Sequence, residues 1–284
     1  MQKEALFYEK QPNNITHCHL CPHECVIADS KRGFCLARKN HGGTLIAEGY
    51  GKISSCAMDP IEKKPLYHFH PGSKILSVGS YGCNFKCPFC QNWQIAQQIL
   101  DSLNIITPEE LVDMAIKNNS IGIAYTYNEP TIFYEYVYDT SIMVKEKNLL
   151  NVWVTNGYIN KKPMEKILPY IDALNIDIKS MDDSFYKKYC KGDLQPVLDI
   201  CALAKKYSHV EITNLIIPTL NDTDEHFHKL GKWIKENLGK ETPLHISRYF
   251  PQYKMDINPT PIDTLKRAEA ILLQYLDFVH LGNV

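Results

Sequence analysis

Short apolar segments alternate with amphipathic segments along the chain after residue 73. Six of the apolar segments have the length of a strand and are rich in β-branched or aromatic residues. They cover residues 74–79, 121–125, 151–154, 173–178, 210–217 and 244–247. A last apolar segment, residues 277–281, is a candidate further strand at the rim. Before this region, residues 44–47 and 52–55 have the pattern of short strands in a loop-rich lead-in.

Helices are predicted in the amphipathic segments between these strands. The run Thr107-Pro108-Glu109-Glu110 has the features of a helix start: a threonine cap, proline at the first position and a glutamate that closes a capping box. The other predicted helices cover residues 131–147, 162–168, 197–207, 222–237 and 262–275. Because strands and helices alternate, we expect right-handed crossovers and a parallel sheet covered by helices.

The residues after each predicted strand decide between a doubly wound sheet and an open, partial barrel. All six strand ends are polar or rich in turn residues, at 82–93, 126–130, 155–158, 177–180, 218–222 and 247–251. Active sites of parallel barrels lie at the C-terminal ends of the strands, so polar ends at every strand favour a barrel around one site. We therefore predict an α/β fold, a partial (β/α)6 TIM-like barrel of parallel strands over residues 73–284. Residues 1–72 are predicted to form a small N-terminal cysteine-rich, metal-bound segment with lead-in loops.

Composition and charge narrow the class of protein. The formal net charge of the 284 residues is −1, so no overall basic field attracts nucleic acid. The sequence contains no apolar stretch that approaches the roughly 18 residues of a membrane span, and its first ten residues do not resemble a secretory signal. A cytoplasmic location is expected, with neither membrane nor nucleic acid as a partner.

The chain has ten cysteines, most of them in two local groups. With no export signal, this grouping fits metal ligands in a reducing compartment better than a disulfide framework. Cys56, Cys190 and Cys201 stand apart from both groups and are interpreted as ordinary buried thiols.

Cys83, Cys87 and Cys90 follow the first predicted strand with the spacing Cys-x3-Cys-x2-Cys. Three thiolates on one short loop can hold three corners of a four-iron cluster and leave the fourth iron open for a ligand. The alternative is a structural zinc loop. Zinc sites usually combine paired Cys-x2-Cys elements and close all four positions, which this loop does not do.

The second group, Cys18, Cys21, Cys25 and Cys35, has the composition of a closed four-thiolate metal site. The segment is too short and too polar to build its own core, so a bound metal would supply folding energy. Both zinc and a second iron–sulfur cluster are compatible with four thiolates. We favour zinc as a structural clip and keep the cluster as the alternative.

The residues in and around the two cysteine groups resemble the motifs of a known protein family. The loop from Gly82 to Trp93, with Phe89 just before its last cysteine, resembles the cluster loop of the radical S-adenosylmethionine (SAM) enzymes. The runs 18–25, 59–66, 125–130 and 281–284 together resemble one subgroup, the AmmeMemoRadiSam system radical SAM enzymes, which are homologues of the pyruvate formate-lyase activating enzymes. In this chain Tyr127 and Asn128 stand where true glycyl-radical activators have paired glycines.

The resemblance implies roles for residues at the strand ends. The turn from Thr126 to Pro130 is similar to the family's turn that binds the amino group of SAM, which makes Glu129 the carboxylate that pairs with that ammonium. Asn156 is placed at the ribose, and Ile216 at the adenosyl end. Asp177 and Lys179 resemble a strand end that lies near SAM, although a plain salt bridge between them is the alternative. The cofactor-binding set implied in this way is Phe89, Asn92, Thr126, Tyr127, Asn128, Glu129, Asn156, Asp177, Lys179 and Ile216, beside the catalytic cluster ligands Cys83, Cys87 and Cys90.

The activity implied by the resemblance is that of a radical SAM oxidoreductase. A reduced [4Fe-4S] cluster would cleave SAM to methionine and a 5′-deoxyadenosyl radical, which would abstract hydrogen from a small-molecule or protein substrate. A flavodoxin- or ferredoxin-type protein would donate the electron. One alternative is the installation of a glycyl radical on a partner enzyme, and another, of a different class, is a non-catalytic metal-binding module. Residues 59–70 could line the mouth of the site or form a solvated loop.

Overall fold

The protein is described by a computed structural model that covers residues 2–100 and 102–284. Met1 and Asp101, which fall inside the two predicted domains, lie outside the described residues. The strands are β1 (Tyr8–Gln11), β2 (Ile15–Cys18), β3 (Val26–Ile27), β4 (Arg38–His41), β5 (Thr44–Ala47), β6 (Lys52–Ile53), β7 (Ser55–Pro60), β8 (Lys74–Gly79), β9 (Asn104–Ile105), β10 (Gly122–Tyr125), β11 (Leu150–Thr155), β12 (Ala173–Asp177), β13 (His209–Ile216), β14 (Leu244–Arg248) and β15 (Val279–Gly282). The helices are α1 (Trp93–Ala96), α2 (Pro108–Lys117), α3 (Tyr134–Glu146), α4 (Lys161–Ile167), α5 (Asp183–Phe185), α6 (Leu194–Ala204), α7 (Asp224–Asn237) and α8 (Ile262–Leu272).

An eight-stranded sheet with the order β15-β14-β13-β12-β11-β10-β8-β7 forms the centre of the described chain. Within this sheet β8, β10, β11, β12, β13, β14 and β15 pair in parallel in that order, and helices α2, α3, α4, α6, α7 and α8 lie in the connections between them. The sheet is open, with β7 and β15 at its edges. This arrangement confirms the predicted α/β fold with a mostly parallel sheet, and the candidate strand at 277–281 is the edge strand β15.

The structure differs from the prediction at the β7 edge of the sheet. The strand expected at 52–55 is two elements, β6 and β7, and β7 pairs antiparallel with β8, so that Ser55 lies opposite Gly79. Pro60 ends β7, where an edge strand tolerates a residue without a backbone N–H. The sheet therefore crosses residue 72, and the domain boundary proposed there stays a prediction.

Local sequence signals set the helix ends. The Thr107 hydroxyl accepts the Glu110 N–H at 3.1 Å, and the Glu110 carboxylate accepts the Thr107 N–H at 2.8 Å, which is the predicted capping box. The helix predicted at 131–147 starts as a 3₁₀ turn, Pro130–Phe133, before α3 begins. The Glu129 side chain caps this turn, so the turn fixes the position of Glu129, a candidate site residue.

A buried ion pair joins the N-terminal segment to the barrel. The Arg38 guanidinium at the start of β4 donates to the Glu135 carboxylate of α3 at 2.6 Å, and both side chains are buried. The same arginine donates to the Leu6 carbonyl at 3.0 Å. Since a buried charge without a partner is costly, this pair fixes the position of the cysteine-rich segment against α3.

Candidate active site

The three-cysteine loop follows β8 and opens onto a cavity of about 500 Å³. This volume is within the usual range for small-molecule and cofactor sites. The wall includes Cys83, Cys87 and Cys90 together with residues at the C-terminal ends of β10, β11 and β12. The ends of β8, β10, β11 and β12 therefore converge on one site, as their polar sequences predicted, whereas none of residues 218–222 lines the cavity and Ser247 is the one lining residue of 247–251.

The spacing of the three thiols bears on the kind of metal group they could hold. Among the described residues, only Glu9, His17 and His19 form a set of three His, Cys, Asp or Glu ligand atoms that all lie within 4.8 Å of one another. At least two of the sulfurs of Cys83, Cys87 and Cys90 are therefore more than 4.8 Å apart. Thiolates on a single tetrahedral zinc ion, at a Zn–S distance of about 2.3 Å, stand about 3.8 Å apart. The thiolates of a four-iron cluster each bind a different iron and stand farther apart, so the donor set fits a cluster better than a zinc ion.

Burial controls the protonation of these thiols. It raises the pKa of the Cys83 thiol well above its usual range, with a further contribution from the charge of Glu129. Burial also raises the pKa of Cys90 to about 11. The thiols are therefore neutral in the metal-free protein, and binding a metal group would release protons.

Cys190 contacts the cluster loop and was missed by the sequence analysis. A hydrogen bond with the Cys190 thiol, followed by burial, raises the pKa of Cys87 well above its usual range. The Cys190 carbonyl also accepts the Lys86 N–H at 2.9 Å. Cys190 lies on a π-helical turn, Tyr186–Cys190, which no periodic pattern in the sequence predicts. Cys190 and Cys201 are buried as expected, whereas Cys56 is only half-buried.

Glu129 occupies the centre of the turn after β10. Its carboxylate is buried and accepts the Thr131 N–H at 2.9 Å, the Thr155 hydroxyl at 2.7 Å and the Asn156 N–H at 2.8 Å. Burial raises the pKa of Glu129, while these donors act in the opposite direction. The carboxylate thus joins the ends of β10 and β11 and also lies on the cavity wall.

Tyr127 has a left-handed backbone, with φ of 68°, at a position where glycine is the usual residue. Its hydroxyl donates to the Asp59 carboxylate at 2.6 Å, and the Lys64 ammonium lies 4.7 Å from the centre of its ring. Lys64 also donates to Asp59 at 2.7 Å. These contacts stabilise the tyrosine in a conformation that the turn requires.

The run 59–70 is divided between two places. Asp59, Lys63, Lys64 and Pro65 line the cavity, as expected for a wall of the site. The backbone N–H groups of Tyr67 and His68 instead donate to the Glu211 carboxylate near the start of β13, at 3.0 and 2.8 Å. Because β13 runs away from that point toward the cavity, this half of the run lies at the opposite end of the barrel.

Asp177 and Lys179 form an ion pair on the cavity wall, with 2.9 Å between the lysine nitrogen and the carboxylate. Burial disfavours the charged lysine, but the charge of Asp177 outweighs it and raises the pKa of Lys179. Asp177 and Lys179 therefore form the salt bridge that was the alternative interpretation, and both side chains are also accessible to a ligand in the cavity.

The remaining predicted cofactor residues lie on the same wall, with one exception. Phe89, Asn92, Thr126, Tyr127, Asn128, Glu129, Asn156, Asp177 and Lys179 all line the cavity. Ile216 is fully buried and is not among the lining residues. Thr213 and Leu215 line the cavity from β13. Because side chains alternate between the faces of a strand, Ile216 faces away from the cavity.

Asn84 is a further residue that the sequence analysis did not assign. Its buried side chain donates to the Tyr158 carbonyl at 2.6 Å and accepts from the Asn156 amide at 2.9 Å. Its own carbonyl is 2.7 Å from the His23 ring nitrogen. Asn84 therefore links the cluster loop to the end of β11 and to the N-terminal segment, through partners distant in sequence.

The N-terminal cysteines also converge. Cys18, Cys21, Cys25 and Cys35 line a second, smaller cavity of about 20 Å³. The cavity wall also includes Arg38 and, from the 3₁₀ turn before α3, Thr131. The predicted grouping of these four residues agrees with the geometry.

Comparison with protein families identifies the class. The radical SAM superfamily matches residues 77–234, which include the three-cysteine loop, Glu129, Asp177 and Lys179. The chain belongs to the radical SAM superfamily. The resemblance to the radical SAM enzymes that was stated from the sequence is thus confirmed. None of the helices in the described ranges is long and apolar enough to cross a membrane.

Particular relatives support the same class. An uncharacterized protein of Methanocaldococcus jannaschii is 50% identical over 99% of this chain and 85% of its own length. A putative glycyl-radical enzyme activating enzyme of the same organism is 28% identical over 75% of this chain and 82% of its own length. The pyruvate formate-lyase 1-activating enzyme of Escherichia coli K12 is 22% identical over 72% of this chain and 90% of its own length.

Solved structures share the fold. A radical SAM methyltransferase from Sphaerobacter thermophilus aligns with a TM-score of 0.58 at 15% identity, over 75% of this chain and 67% of that chain. A domain of a pyruvate-formate lyase-activating enzyme from Bacteroides vulgatus aligns with a TM-score of 0.51 at 16% identity, over 57% of this chain and 99% of that domain. At these identities the likeness concerns the fold alone.

Proposed function

We propose that the protein is a radical SAM oxidoreductase that abstracts hydrogen from a small-molecule or protein substrate. The observation that carries the proposal is the shared cavity. The three thiols of the cluster loop and nine residues assigned to SAM line the same space of about 500 Å³. A one-electron donor of the flavodoxin or ferredoxin type is the expected partner.

Cys83, Cys87 and Cys90 would hold a [4Fe-4S] cluster with one open iron. When bound and reduced, the cluster supplies the electron that cleaves SAM to methionine and a 5′-deoxyadenosyl radical. The chain's own contribution is to hold the loop rigidly. Asn128 does this by accepting the Ser80 N–H at 2.9 Å and donating to the Gly82 carbonyl at 3.0 Å.

Glu129, Asp177 and Lys179 are the charged groups proposed to bind SAM. The Glu129 carboxylate would pair with the ammonium of SAM, and Lys179 would meet its carboxylate while Asp177 keeps the lysine in place. Three hydrogen bonds fix Glu129 and an ion pair fixes Lys179, so both are oriented before the ligand arrives. Asn156, next to the carboxylate, is proposed at the ribose.

A second candidate is activation of a glycyl-radical enzyme. The names of two relatives favour it, one a putative glycyl-radical enzyme activating enzyme and the other a pyruvate formate-lyase activating enzyme. Tyr127 bears on this choice. Its ring and hydroxyl are fixed by Lys64 and Asp59 on the cavity wall, where a glycine pair would leave more room for a substrate backbone. This difference favours a substrate other than a glycyl-radical loop.

The test uses anaerobically reconstituted protein reduced with dithionite and supplied with SAM. Formation of 5′-deoxyadenosine and methionine is expected. The variant with Cys83, Cys87 and Cys90 all replaced by alanine should form neither, and Cys201→Ala is the matched control because this buried thiol lines neither cysteine cavity. Absence of both products from the fully loaded, reduced wild type would refute the proposal.

A further inference from the structure

The four N-terminal cysteines form a closed site that the radical chemistry above does not use. Cys18 ends β2, Cys21 and Cys25 lie in the turn to β3, and Cys35 precedes β4. All four line one cavity. The four side chains are therefore gathered around one enclosed space.

The sulfurs stand too far apart for a single zinc ion. Among the described residues, no three of these four thiols lie within 4.8 Å of one another, because Glu9, His17 and His19 alone meet that condition. Tetrahedral zinc would hold thiolates about 3.8 Å apart. Neither these four thiols nor Cys83, Cys87 and Cys90 contain a set of three with the close mutual spacing that tetrahedral zinc requires.

One buried polar group on the same wall has no partner among the described residues. Arg38 Nε is buried without a hydrogen bond, and Arg38 lines the cavity. Buried donors almost always find acceptors. The inorganic sulfides of an iron–sulfur cluster accept hydrogen bonds, and its net negative charge suits an adjacent guanidinium. A zinc ion with four thiolates brings no sulfides to accept them.

The two cysteine sites touch each other. A Cβ on Gly82 would lie 2.4 Å from the Cys35 carbonyl oxygen, so the backbone before Cys83 packs directly on the fourth N-terminal ligand. The Lys86 ammonium donates to the Cys83 carbonyl at 3.1 Å and lies 4.9 Å from the centre of the ring of Phe34, the residue before Cys35. Lys86 thus lies between the sites, and its ring contact Phe34 reaches the surface.

We propose that Cys18, Cys21, Cys25 and Cys35 bind a second [4Fe-4S] cluster that passes electrons, one at a time, to the cluster at Cys83, Cys87 and Cys90. In each step the protein donor loses one electron, the N-terminal cluster gains it, and the electron then moves across the Cys35–Gly82 contact. The identity of the second cluster is independent of the proposed function, while its role as a relay rests on that function. This assignment replaces zinc, which the sequence alone favoured.

The first experiment counts metals in wild-type protein reconstituted anaerobically with both iron and zinc present. The expected content is about eight irons and eight sulfides per chain, and Mössbauer spectra should contain [4Fe-4S] components only. The variant with Cys83, Cys87 and Cys90 replaced by alanine should keep about four irons. Zinc or no metal in that variant, together with about four irons in the wild type, would overturn the proposal.

The second experiment measures whether the clusters are neighbours. In fully reduced wild-type protein, the electron paramagnetic resonance spectrum should show broadening or splitting from coupling between two clusters. The variant Cys21→Ser/Cys25→Ser, at the two less buried ligands, should show the spectrum of one uncoupled cluster. A wild-type spectrum equal to the sum of the two variants' spectra would overturn the relay. If the wild type holds two coupled clusters but does not cleave SAM, the proposed function fails and the second cluster stands.

Discussion

Replacing Glu129 with glutamine tests the SAM-binding turn. The wild-type carboxylate accepts from Thr131 N–H and Thr155 Oγ through one oxygen and from Asn156 N–H through the other. In either orientation, the new NH2 group faces a backbone N–H, of Thr131 or of Asn156. At least one buried donor therefore loses its acceptor.

The size of the effect follows from these contacts. A buried N–H left without an acceptor costs about 1–3 kcal/mol of stability. If Glu129 also pairs with the SAM ammonium, losing a hydrogen bond to a charged group costs about 1.5–3 kcal/mol of binding free energy. We therefore expect SAM affinity to fall roughly 10- to 150-fold.

The assay is equilibrium binding of SAM to cluster-loaded protein, measured beside thermal unfolding. Thr155→Val is the control, because it keeps the carboxylate charge while it removes one donor to Glu129 and the acceptor of the Gly157 N–H. It should lower stability by about 1–3 kcal/mol and reduce SAM affinity much less than Glu129→Gln. Equal SAM affinity in wild type and Glu129→Gln would refute the assigned role of the carboxylate.

Three other changes test the scaffold. Glu135→Gln leaves the Arg38 guanidinium buried without its charged partner, and should lower the free energy of unfolding by about 3–5 kcal/mol in denaturant titrations. Tyr127→Phe removes the hydrogen bond to Asp59 and should cost about 1.5–3 kcal/mol, with an unchanged melting temperature as the contradicting result. Burial opposes ionisation of Glu211, but hydrogen bonds from two histidines and two backbone N–H groups lower its pKa to about 2. Its stabilisation is complete above the unfolded pKa of 4.5 and is lost as pH falls from there toward 2, so Glu211→Gln should flatten the decline of melting temperature in that window.

An exposed ion pair provides the control for the charge-removing variants. Lys229 contacts Glu225 at 2.7 Å on the solvent face of α7. Because exposed pairs on helices contribute only about 0.3–0.5 kcal/mol, Glu225→Gln should leave stability nearly unchanged. If it destabilises the protein as much as Glu135→Gln, the argument from burial is wrong.

Local signals in the sequence identified much of this fold. Strand positions followed from short apolar runs, and the start of α2 followed from Thr107 and Glu110, because these patterns act within a few residues. Cys83, Cys87 and Cys90 and the polar strand ends could also be predicted, because their patterns lie within a few residues of the sequence. The cavity then brings together nine of the ten residues assigned to the cofactor.

Features that depend on contacts between residues far apart in the sequence could not be predicted. Cys190 meets Cys87, and Asp59 meets Tyr127, only after the barrel has formed. Ile216 does not line the cavity, and the apolar run in the sequence does not show which face of β13 does. The proposal of a cluster instead of zinc at the N-terminal cysteines likewise rests on the positions of the sulfurs, which spacing along the chain does not determine.

The most direct test of the central claim uses SAM labelled with ¹⁵N at its amino group. In reduced protein loaded with a cluster, pulsed electron paramagnetic resonance should detect coupling between the cluster and that nitrogen, because Cys83, Cys87 and Cys90 leave one iron open to SAM. The variant with all three cysteines replaced by alanine should show no such coupling. Saturating SAM that gives no nitrogen coupling in the loaded wild-type protein would contradict the account.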